Sequence, residues 1–382
     1  MLRCPVRTNS KNGHMNIGCM ARLTENMRLE SSSVSARTEA RGLDSIFFPS
    51  TVTEQNSFFT EKHTTSGEDD QYVYGASAMQ GWRISMEDAH TTLLKLTSTP
   101  NRTAFFAVFD GHGGQNVSKY CESHLHKVIA GTEEFKNMDY EGALKTGFLS
   151  TDMKLRNDPS HANEPSGATS VAAIITDSKI YVGNAGDSRA VLCTTLGQAE
   201  PLSFDHKPKN PLELERIVAA GGFVDCGRVN GNLALSRAIG DFEFKQSTDL
   251  PAERQIVTAF PDVMEWTLRD SDEFLVLACD GIWDCMTNQD VVDFISSKIV
   301  EKHELGTICE MLMDHCLGPD PVIYEVGFDN MTVVIVALLR GRTKEAWCDA
   351  VSKRVEAQGG IRPRSLISRQ PVADTVPAEG VN

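Results

Sequence analysis

Two strongly apolar runs of this sequence each stop abruptly at a carboxylate followed by glycine. Residues 105–109 and 274–279 are typical of strands buried on both faces of a sheet, and they end at Asp110 and Asp280. A charged side chain at the end of a core strand is costly to desolvate unless a partner or a cation compensates it. The glycine that follows lets the backbone turn sharply and lets its carbonyl approach a ligand. The pattern therefore indicates two sites for ligand binding at strand ends.

Two further acids stand at the beginnings of predicted strands. Glu87 comes just before a strand expected over residues 89–96, and Asp329 just before one expected over residues 331–338. In antiparallel sheets the start of one strand and the end of its neighbour lie on the same edge. If these strands are neighbours, as we infer, Glu87 and Asp329 meet the two strand-end acids there.

Four carboxylates on one edge need cations to offset their repulsion. Oxygen ligands select hard ions, so the sequence predicts Mg²⁺ or Mn²⁺ rather than zinc or copper. Asp110 is central enough to bridge two ions, and Gly111 can offer its backbone carbonyl. Two hard ions about 3.5–4 Å apart would activate a water and clamp the oxygens of a phosphate. A single Asp-Gly pair after a strand is commonly just a tight turn, but two of them together with Glu87-Asp88 and Asp329-Asn330 favour the metal site.

Other residues near these motifs have a chemical role and a structural alternative. Arg83 can place a guanidinium fork on two phosphate oxygens, although a lone arginine is usually a surface charge. His112 can protonate a departing alkoxide, although a lone histidine is more often structural. Asp187 and Asp284 are either turn and N-cap residues or ligands of a further ion, and both interpretations stay open. His206 is interpreted as structural, as are His124 and His126.

Composition narrows the class of protein. The 382 residues, of which 41% are hydrophobic and 23% charged, are ordinary for a soluble globular chain. The formal net charge of -15 argues against general binding to nucleic acid or to anionic membranes. Ten cysteines without Cys-x-x-Cys spacing predict reduced thiols in an intracellular compartment rather than disulfides or zinc. No apolar run is long enough to span a bilayer, so membrane insertion is not expected.

The ends of the chain differ from its centre. Residues 1–68 are rich in Ser, Thr, Asn and Arg and are predicted to be disordered or loosely attached. Their early basic residues would suit a mitochondrial transit peptide, but acids from Glu25 onward weaken that pattern, so the cytoplasm and nucleus are the expected locations. The folded domain is expected over residues 69–340, and residues 341–382 are expected to form a helix and a flexible tail.

The central region alternates runs of strands with pairs of helices, which predicts an α+β fold. We expect an antiparallel β-sandwich flanked by helices on both faces. Strands at residues 168–175, 179–183 and 189–193 are predicted to form an antiparallel meander. Residues 225–250 are Gly-rich and irregular, which favours a functional flap.

Helix starts have their own signals. Asn210 is predicted as an N-cap, with Glu213 completing an arrangement like a capping box. Thr287 with Asp290 predicts a second such helix start.

Six blocks in this order resemble the type 2C metal-dependent serine/threonine protein phosphatases over roughly residues 70–340. They are RISMEDAH (83–90), VFDGHGG (108–114), SGAT (166–169), GDSR (186–189), DGIWD (280–284) and DNMT (329–332). The resemblance implies a pair of packed antiparallel sheets flanked by helices. It also implies hydrolysis of phosphoserine and phosphothreonine on proteins, and we expect the enzyme to be a monomer.

The resemblance also implies a role for each matching residue. Asp110, Asp280 and Asp329 would hold one Mg²⁺ or Mn²⁺, and Glu87, Asp110 and the Gly111 carbonyl the second. Arg83 would bind phosphate, and His112 would act as general acid. Asp187 and Asp284 match positions that hold a weaker third ion in some members. Asp88 and Asn330, which adjoin two ligands, would support them from behind.

Two other classes compete with the enzyme. A pseudophosphatase would keep the fold to bind partners, and loss of any metal-binding acid would favour it, but none is lost. A calcium-binding structural module would need an Asp-x-Asp-x-Asp-Gly loop, which the sequence lacks.

Overall fold

The structure is a computed structural model that describes residues 60–97, 102–161, 164–318 and 327–360. Its strands are β1 (Lys62–Glu68), β2 (Tyr72–Met79), β3 (Ala89–Leu93), β4 (Thr103–Phe109), β5 (Gly111–His112), β6 (Gly167–Ala168), β7 (Ser170–Thr176), β8 (Lys179–Ala185), β9 (Arg189–Cys193), β10 (Ala199–Pro201), β11 (Val224–Asp225), β12 (Arg228–Val229), β13 (Ile239–Gly240), β14 (Asp262–Thr267), β15 (Phe274–Ala278) and β16 (Met331–Leu338). Its α-helices are α1 (Asn116–Ala130), α2 (Glu133–Lys136), α3 (Tyr140–Asn157), α4 (Pro211–Ala219), α5 (Asp280–Trp283), α6 (Asn288–Val300), α7 (Leu305–Cys316) and α8 (Lys344–Ala357).

Two antiparallel sheets form the centre of the domain. Sheet A has the strand order β1-β2-β16-β15-β9-β10, and sheet B has the order β14-β8-β7-β4-β3. A smaller sheet, β13-β6-β5, lies at the end of β4 where the chain turns after Asp110. The last strand in sequence, β16, is inserted between β2 and β15 in the middle of sheet A.

The central strands are apolar on both faces because each sheet is covered on both sides. In β4, Phe106 and Val108 face sheet A, whereas Phe105 and Phe109 pack against the helices on the other side. In β15, Leu275 lies between the sheets, and its neighbours along the strand face the outer helices. Alternation with a period of two thus places apolar residues in two separate cores.

Helices form the two outer layers. Helices α1 and α3 cover sheet B, where Leu125 and Phe148 belong to its outer core. Helices α6, α7 and α8 cover sheet A, with Ile295, Leu312 and Trp347 in the corresponding core. The α+β fold, an antiparallel sandwich with helices on both faces, is therefore confirmed.

The predicted beginning of the folded part is wrong. Residues 62–68 form β1, which pairs along its whole length with β2, from Lys62 opposite Met79 to Glu68 opposite Val73. This edge strand is built from Lys, His, Thr, Ser and Gly and is only partly buried, so it carries no apolar periodicity that would reveal it. The rest of the predicted disordered segment, residues 1–59, lies outside the described residues.

The predicted three-stranded meander is wrong in its third strand. Strands β7 and β8 pair in sheet B, but β9 pairs with β15 in sheet A. Gly186, with φ of +123°, lies in the turn between β8 and β9, and an added Cβ there would overlap Thr169. The turn therefore carries the chain from sheet B to sheet A. The turn residues alone cannot distinguish such a crossing from a hairpin within one sheet.

Helix starts and the C-terminal helix mostly follow the sequence. The Thr287–Asp290 capping box is present at α6, and α8 begins after its N-cap Thr343 as expected. Asn210 is the N-cap of α4 but its side chain caps nothing, because its amide donates to the carbonyl of Asp205. Residues 361–382 lie outside the described residues, so the flexible tail stays a prediction.

The predicted flap has little regular structure but has its own core. Between α4 and β14 the chain forms the β11–β12 hairpin, the short strand β13 and single 3₁₀ turns. Its apolar cluster consists of Ile217, Val229, Ala238, Phe244 and Val257. In the described part of the chain, no helix combines the length and apolarity that crossing a bilayer requires.

Candidate metal centre and active site

Each of the two large sheets brings two acids to the candidate site. Glu87 and Asp110 adjoin the paired strands β3 and β4 of sheet B, in which Ala89 lies opposite Phe109. Asp280 and Asp329 adjoin the paired strands β15 and β16 of sheet A. The inferred strand neighbours are thus confirmed within each pair, but the acids do not share one sheet edge. They meet because the two sheets face each other.

Three carboxylates form the closest group. One carboxylate oxygen from each of Asp110, Asp187 and Asp280 lies within 4.8 Å of the others. Burial raises the pKa of Asp110 well above its usual range, and the charges of Asp280 and its other acidic neighbours raise it further. Burial raises the pKa of Asp280 in the same way, followed by the charges of Asp187 and Asp329. Such a group is short of positive charge, and an all-oxygen donor set of this kind suits a hard divalent cation.

Asp88 is buried directly behind this group. It is 1% exposed, and its Oδ2 accepts a hydrogen bond of 2.7 Å from the Thr332 hydroxyl. Its Oδ1 has no hydrogen-bond partner among the described residues. Burial raises the pKa of Asp88 to about 7, and it outweighs the hydrogen bonds to this carboxylate, which lower the pKa. Leaving a buried carboxylate oxygen without a hydrogen-bond partner costs free energy of folding. A water ligand of a bound cation could donate a hydrogen bond to Asp88 Oδ1, so this atom also fits a metal site.

Asn330 fixes the loop that carries Glu87. The Glu87 backbone N–H donates to Asn330 Oδ1 at 2.8 Å, and the Asn330 amide donates to the carbonyls of Gln80 and Ser85 at 2.7 and 2.9 Å. This loop passes so close to β5 that a Cβ at Gly111 would overlap the Glu87 carbonyl. Glycine is therefore required at position 111, whatever its carbonyl binds.

Arg83 lies at the rim of the site. Its guanidinium is ion-paired with Asp329, and its side chain is 58% exposed. A half-exposed fork beside the carboxylates is accessible to a phosphate from solvent.

His112, the second residue of β5, has an acidic partner. Its Nε2 is 2.8 Å from Oδ2 of Asp241, which is 4% exposed. Burial alone would lower the pKa of His112, but the hydrogen bond and charge of Asp241 more than offset it, so the pKa is raised. A raised pKa favours the protonated imidazolium, which is the form that can donate a proton.

The possible third site already contains a positive side chain. Lys207 donates to Asp187, which is buried in the turn after β8. The same turn is held by His206, whose Nδ1 accepts from the Gly186 N–H at 3.2 Å. Asp284 is exposed and is the C-cap of α5, so its predicted N-cap role is wrong. Although part of its side chain reaches solvent, the surrounding protein partly desolvates its carboxylate, which is the main cause of its raised pKa; Lys207 opposes this rise and Asp187 adds to it.

Two residues of the site were missed by the sequence reasoning. Asp241 lies in the segment interpreted as a flap, and Lys207 follows a histidine interpreted as structural. Asp241 follows only the two-residue strand β13, and Lys207 lies in a loop, so no local pattern marks either residue. The weak sequence signal for Lys207 is a lysine two residues after Asp205 in a very acidic chain.

Comparisons with known proteins agree with this geometry. Residues 72–320, more than half of the chain, match the family model described as protein phosphatase 2C. The chain is 55% identical over 302 residues to "Protein phosphatase 2C homolog 2" of Hypocrea jecorina, covering 77% of this chain and 69% of the relative. It is 53% identical over 304 residues to the protein of the same name from Schizosaccharomyces pombe, covering 78% and 82%.

A solved structure gives the same result at the level of the fold. A phosphatase from Toxoplasma gondii superposes with a TM-score of 0.63 at 29% identity, covering 73% of this chain and 96% of that one. The sheets, the acidic centre and the relatives lead to one conclusion: this chain is a member of the protein phosphatase 2C family.

Proposed function

We propose that this protein phosphatase hydrolyses phosphoserine and phosphothreonine on proteins with the help of two Mg²⁺ or Mn²⁺ ions. The observation that carries the proposal is the close group of acids that both sheets bring together, in which Asp187 is buried and Asp110 and Asp280 are partly buried. Membership of a metal-dependent phosphatase family gives this group its use.

The residues present fit such ions. Asp110, Asp280 and Asp329 would hold one ion, and Glu87, Asp110 and the Gly111 carbonyl the other. Asp88 and Asn330 would support the ligands, Asp88 through its unpartnered oxygen and Asn330 through its hold on the Glu87 loop. When bound, hard ions of this kind lower the pKa of a water and neutralise phosphate oxygens.

Two side chains of the rim would act on the substrate itself. Arg83 would exchange part of its contact with Asp329 for two oxygens of the phosphate, which a planar guanidinium can bind side by side. His112 would give a proton to the seryl or threonyl oxygen as its bond to phosphorus breaks. Phosphate monoesters hydrolyse extremely slowly unaided, so each of these interactions has a large barrier to lower.

A third ion would be held more weakly by Asp187 and Asp284. Asp187 supports this because it belongs to the close carboxylate group. The exposure of Asp284 and the presence of Lys207 on Asp187 favour a weak site over a tight one.

The expected setting follows from the same features. Phosphorylated proteins are the proposed partners, and the net charge of -15 disfavours nucleic acid. Buried cysteines in thiol form support a reducing compartment, for which we propose the cytoplasm or nucleus: Cys121, Cys193, Cys279 and Cys309. A monomer is proposed because the domain encloses its metal-binding acids within one chain. The pseudophosphatase alternative is not favoured, since each predicted metal-binding acid is present.

The test is hydrolysis of a phosphothreonine peptide and of p-nitrophenyl phosphate. We expect activity with Mn²⁺ or Mg²⁺, its loss in EDTA, and its loss in Asp280→Asn. Asp270→Asn is the matched control, because Asp270 is almost fully exposed at the far end of β15. Activity that persists in EDTA or in Asp280→Asn would contradict the metal mechanism. A folded, metal-binding protein without activity on either substrate would favour the pseudophosphatase.

A further inference from the structure

His112 and Asp241 form a pair that joins the metal-centre turn to the flap segment. The two residues are 129 positions apart in the chain, yet Nε2 of His112 and Oδ2 of Asp241 are 2.8 Å apart. The carboxylate is almost completely buried, whereas the His112 side chain is 28% exposed. The protein therefore fixes the imidazole at Nε2, while part of the ring remains accessible to solvent.

The backbone around Asp241 is arranged to deliver this carboxylate. Asp241 adopts left-handed backbone angles, with φ of +51° and ψ of +43°, and begins the 3₁₀ turn Phe242–Phe244. Its N–H donates to the carbonyl of Ser166 at 3.2 Å, and the N–H of Gly240 donates to Asp152 Oδ1 at 2.8 Å. An Asp in this conformation costs free energy, so contacts on both sides must hold it there.

Gly167 leaves the space in which the pair forms. An added Cβ at position 167 would lie 2.6 Å from Nε2 of His112 and would also overlap the Asp241 carboxylate. Strand β6, which contains Gly167, pairs with β5 on one side and β13 on the other. Strand β6 therefore has no side chain at position 167, the point where His112 of β5 and Asp241 after β13 come together.

We propose that Asp241 is the positioning residue for His112: its carboxylate accepts a hydrogen bond from Nε2–H, so that Nδ1 is the nitrogen that serves the substrate. The inference rests on the proposed function of His112 as general acid. Nδ1 is buried and has no hydrogen-bond partner among the described residues, so it is the ring atom still in need of one.

The proton balance of the step is simple. The bond between phosphorus and the seryl oxygen breaks as water adds to phosphorus, and the leaving oxygen takes the proton from His112 Nδ1. His112 is left neutral with its remaining proton on Nε2, hydrogen-bonded to Asp241. Without Asp241 the ring can rotate or hold its remaining proton on the wrong nitrogen, as in other histidine–aspartate pairs.

The first test compares two leaving groups in Asp241→Asn. Asparagine has nearly the same side-chain shape as aspartate and tolerates left-handed backbone angles, so the variant should still fold. A phosphoserine peptide releases an alkoxide that needs a proton, whereas p-nitrophenyl phosphate releases a phenolate that does not. We expect kcat to fall about 10²-fold on the peptide and at most about threefold on p-nitrophenyl phosphate.

Control variants separate a loss of His112 positioning from an unspecific loss of structure or activity. Glu243→Gln, an exposed acid in the same 3₁₀ turn, should leave both rates unchanged. Asp241→Asn added to His112→Gln should cost no more than His112→Gln alone, because the two residues act through one proton transfer. Gly167→Ala, which inserts a methyl group between the partners, should reproduce the split between the two substrates.

Several outcomes would overturn the inference. Equal losses on both substrates, or additive losses in the double variant, would mean that Asp241 does not act through His112. Wild-type rates in Asp241→Asn would also refute it while leaving the proposed function intact, whereas an inactive wild-type protein would refute the proposed function itself. ¹⁵N NMR of the wild-type imidazole provides a readout that needs no variant to fold: a neutral ring protonated on Nδ1 instead of Nε2 would contradict the pairing.

Discussion

Lys207 gives the acidic centre a positive charge that the chain itself supplies. Its ammonium contacts Asp187, and it also senses the charges of Asp280 and Asp205. Burial alone would lower the pKa of Lys207, but the charge of Asp187 and the hydrogen bond to it offset that and raise it. The ammonium therefore stays charged and partly neutralises acids that would otherwise repel each other.

Replacing Lys207 should separate its stabilisation of the neighbouring acids from its competition with a third ion for Asp187. In EDTA, Lys207→Met should lower the melting temperature by about 2–4 °C, because the acids lose their internal counter-charge. In calorimetric titrations with Mn²⁺, the weakest binding step should become tighter, because the cation no longer competes with an ammonium. Lys209→Met, an exposed lysine two residues on, should change neither quantity. An unchanged weak step would show that Lys207 does not compete with the third ion.

How far single residues were predictable depends on where their signal lies. Asp110 and Asp280 interrupt apolar runs, so their positions are visible in the sequence itself. Lys207 and Asp241 have no such local context, because their partners lie 20 and 129 residues away. Only the three-dimensional path of the chain brings them to the acids and to His112.

At the scale of elements, α4 is tied to the flap by a buried acid rather than by apolar packing alone. Glu213 accepts hydrogen bonds from Arg216 at 2.7 Å, from Arg237 at 2.6 Å and from the Ser236 hydroxyl at 2.7 Å. Burial alone would raise the pKa of Glu213, but the hydrogen bond and charge of Arg237, together with Arg216, lower it to about 2. The network was not predicted, since Glu213 was assigned to a helix cap.

Stability should depend on pH through this network. Because the folded pKa of Glu213 lies below its ordinary value of 4.5, its contribution is fully present above about pH 4.5 and is lost as pH falls toward 2. Glu213→Gln should lower the free energy of unfolding by about 2–4 kcal/mol at pH 7. Between pH 5 and 3, the free energy of unfolding of the variant should fall less steeply than that of the wild type. Urea titration at each pH measures both quantities. Glu215→Gln, exposed on the same helix, is the control. Parallel pH curves for Glu213→Gln and the wild type would contradict this role.

The packing of β2 against α7 depends on an absent side chain. A Cβ at Gly75 would overlap the backbone of Leu305 and Gly306, and the Cys309 thiol lies close enough to donate to the Gly75 carbonyl at 3.4 Å. Gly75→Ala should therefore destabilise the protein by about 1–3 kcal/mol, because the helix must move away from the sheet. Gly183→Ala in β8 is the matched control, since its nearest neighbour is a Leu144 methyl at 3.4 Å. Equal midpoints of urea unfolding for the two variants would contradict the close approach.

Most elements could be predicted because their apolar residues recur at helical or strand spacing. Strand β1 could not, because its alternating side chains are polar and stay partly exposed at a sheet edge. The sheet to which β9 belongs could not either, because the turn at Gly186 decides it and not the strand's own residues.

At the scale of the whole molecule, bound ions would connect the two sheets. Asp110 belongs to the end of sheet B and Asp280 to the end of sheet A, and both are partly buried. A cation between them would bind the folded protein and not the unfolded chain, and would therefore raise apparent stability by mass action.

The melting temperature should report this connection directly. At a cation concentration 100 times the dissociation constant, we expect a rise of about 5–10 °C over the protein in EDTA. Asp280→Asn should lose most of the rise, and Asp270→Asn should keep it. A full rise in Asp280→Asn, measured by differential scanning calorimetry, would show that the stabilising ion binds elsewhere.

The position of β16 in sheet A has a consequence for protein synthesis. Strands β2 and β15 cannot complete their sheet until β16 is inserted between them, and β16 (Met331–Leu338) follows both of them in sequence. A growing polypeptide on the ribosome would therefore hold Glu87 and Asp110 long before it holds Asp329. The active centre therefore cannot form before β16 has been synthesised, so chains that stop short of β16 should be inert toward phosphoproteins.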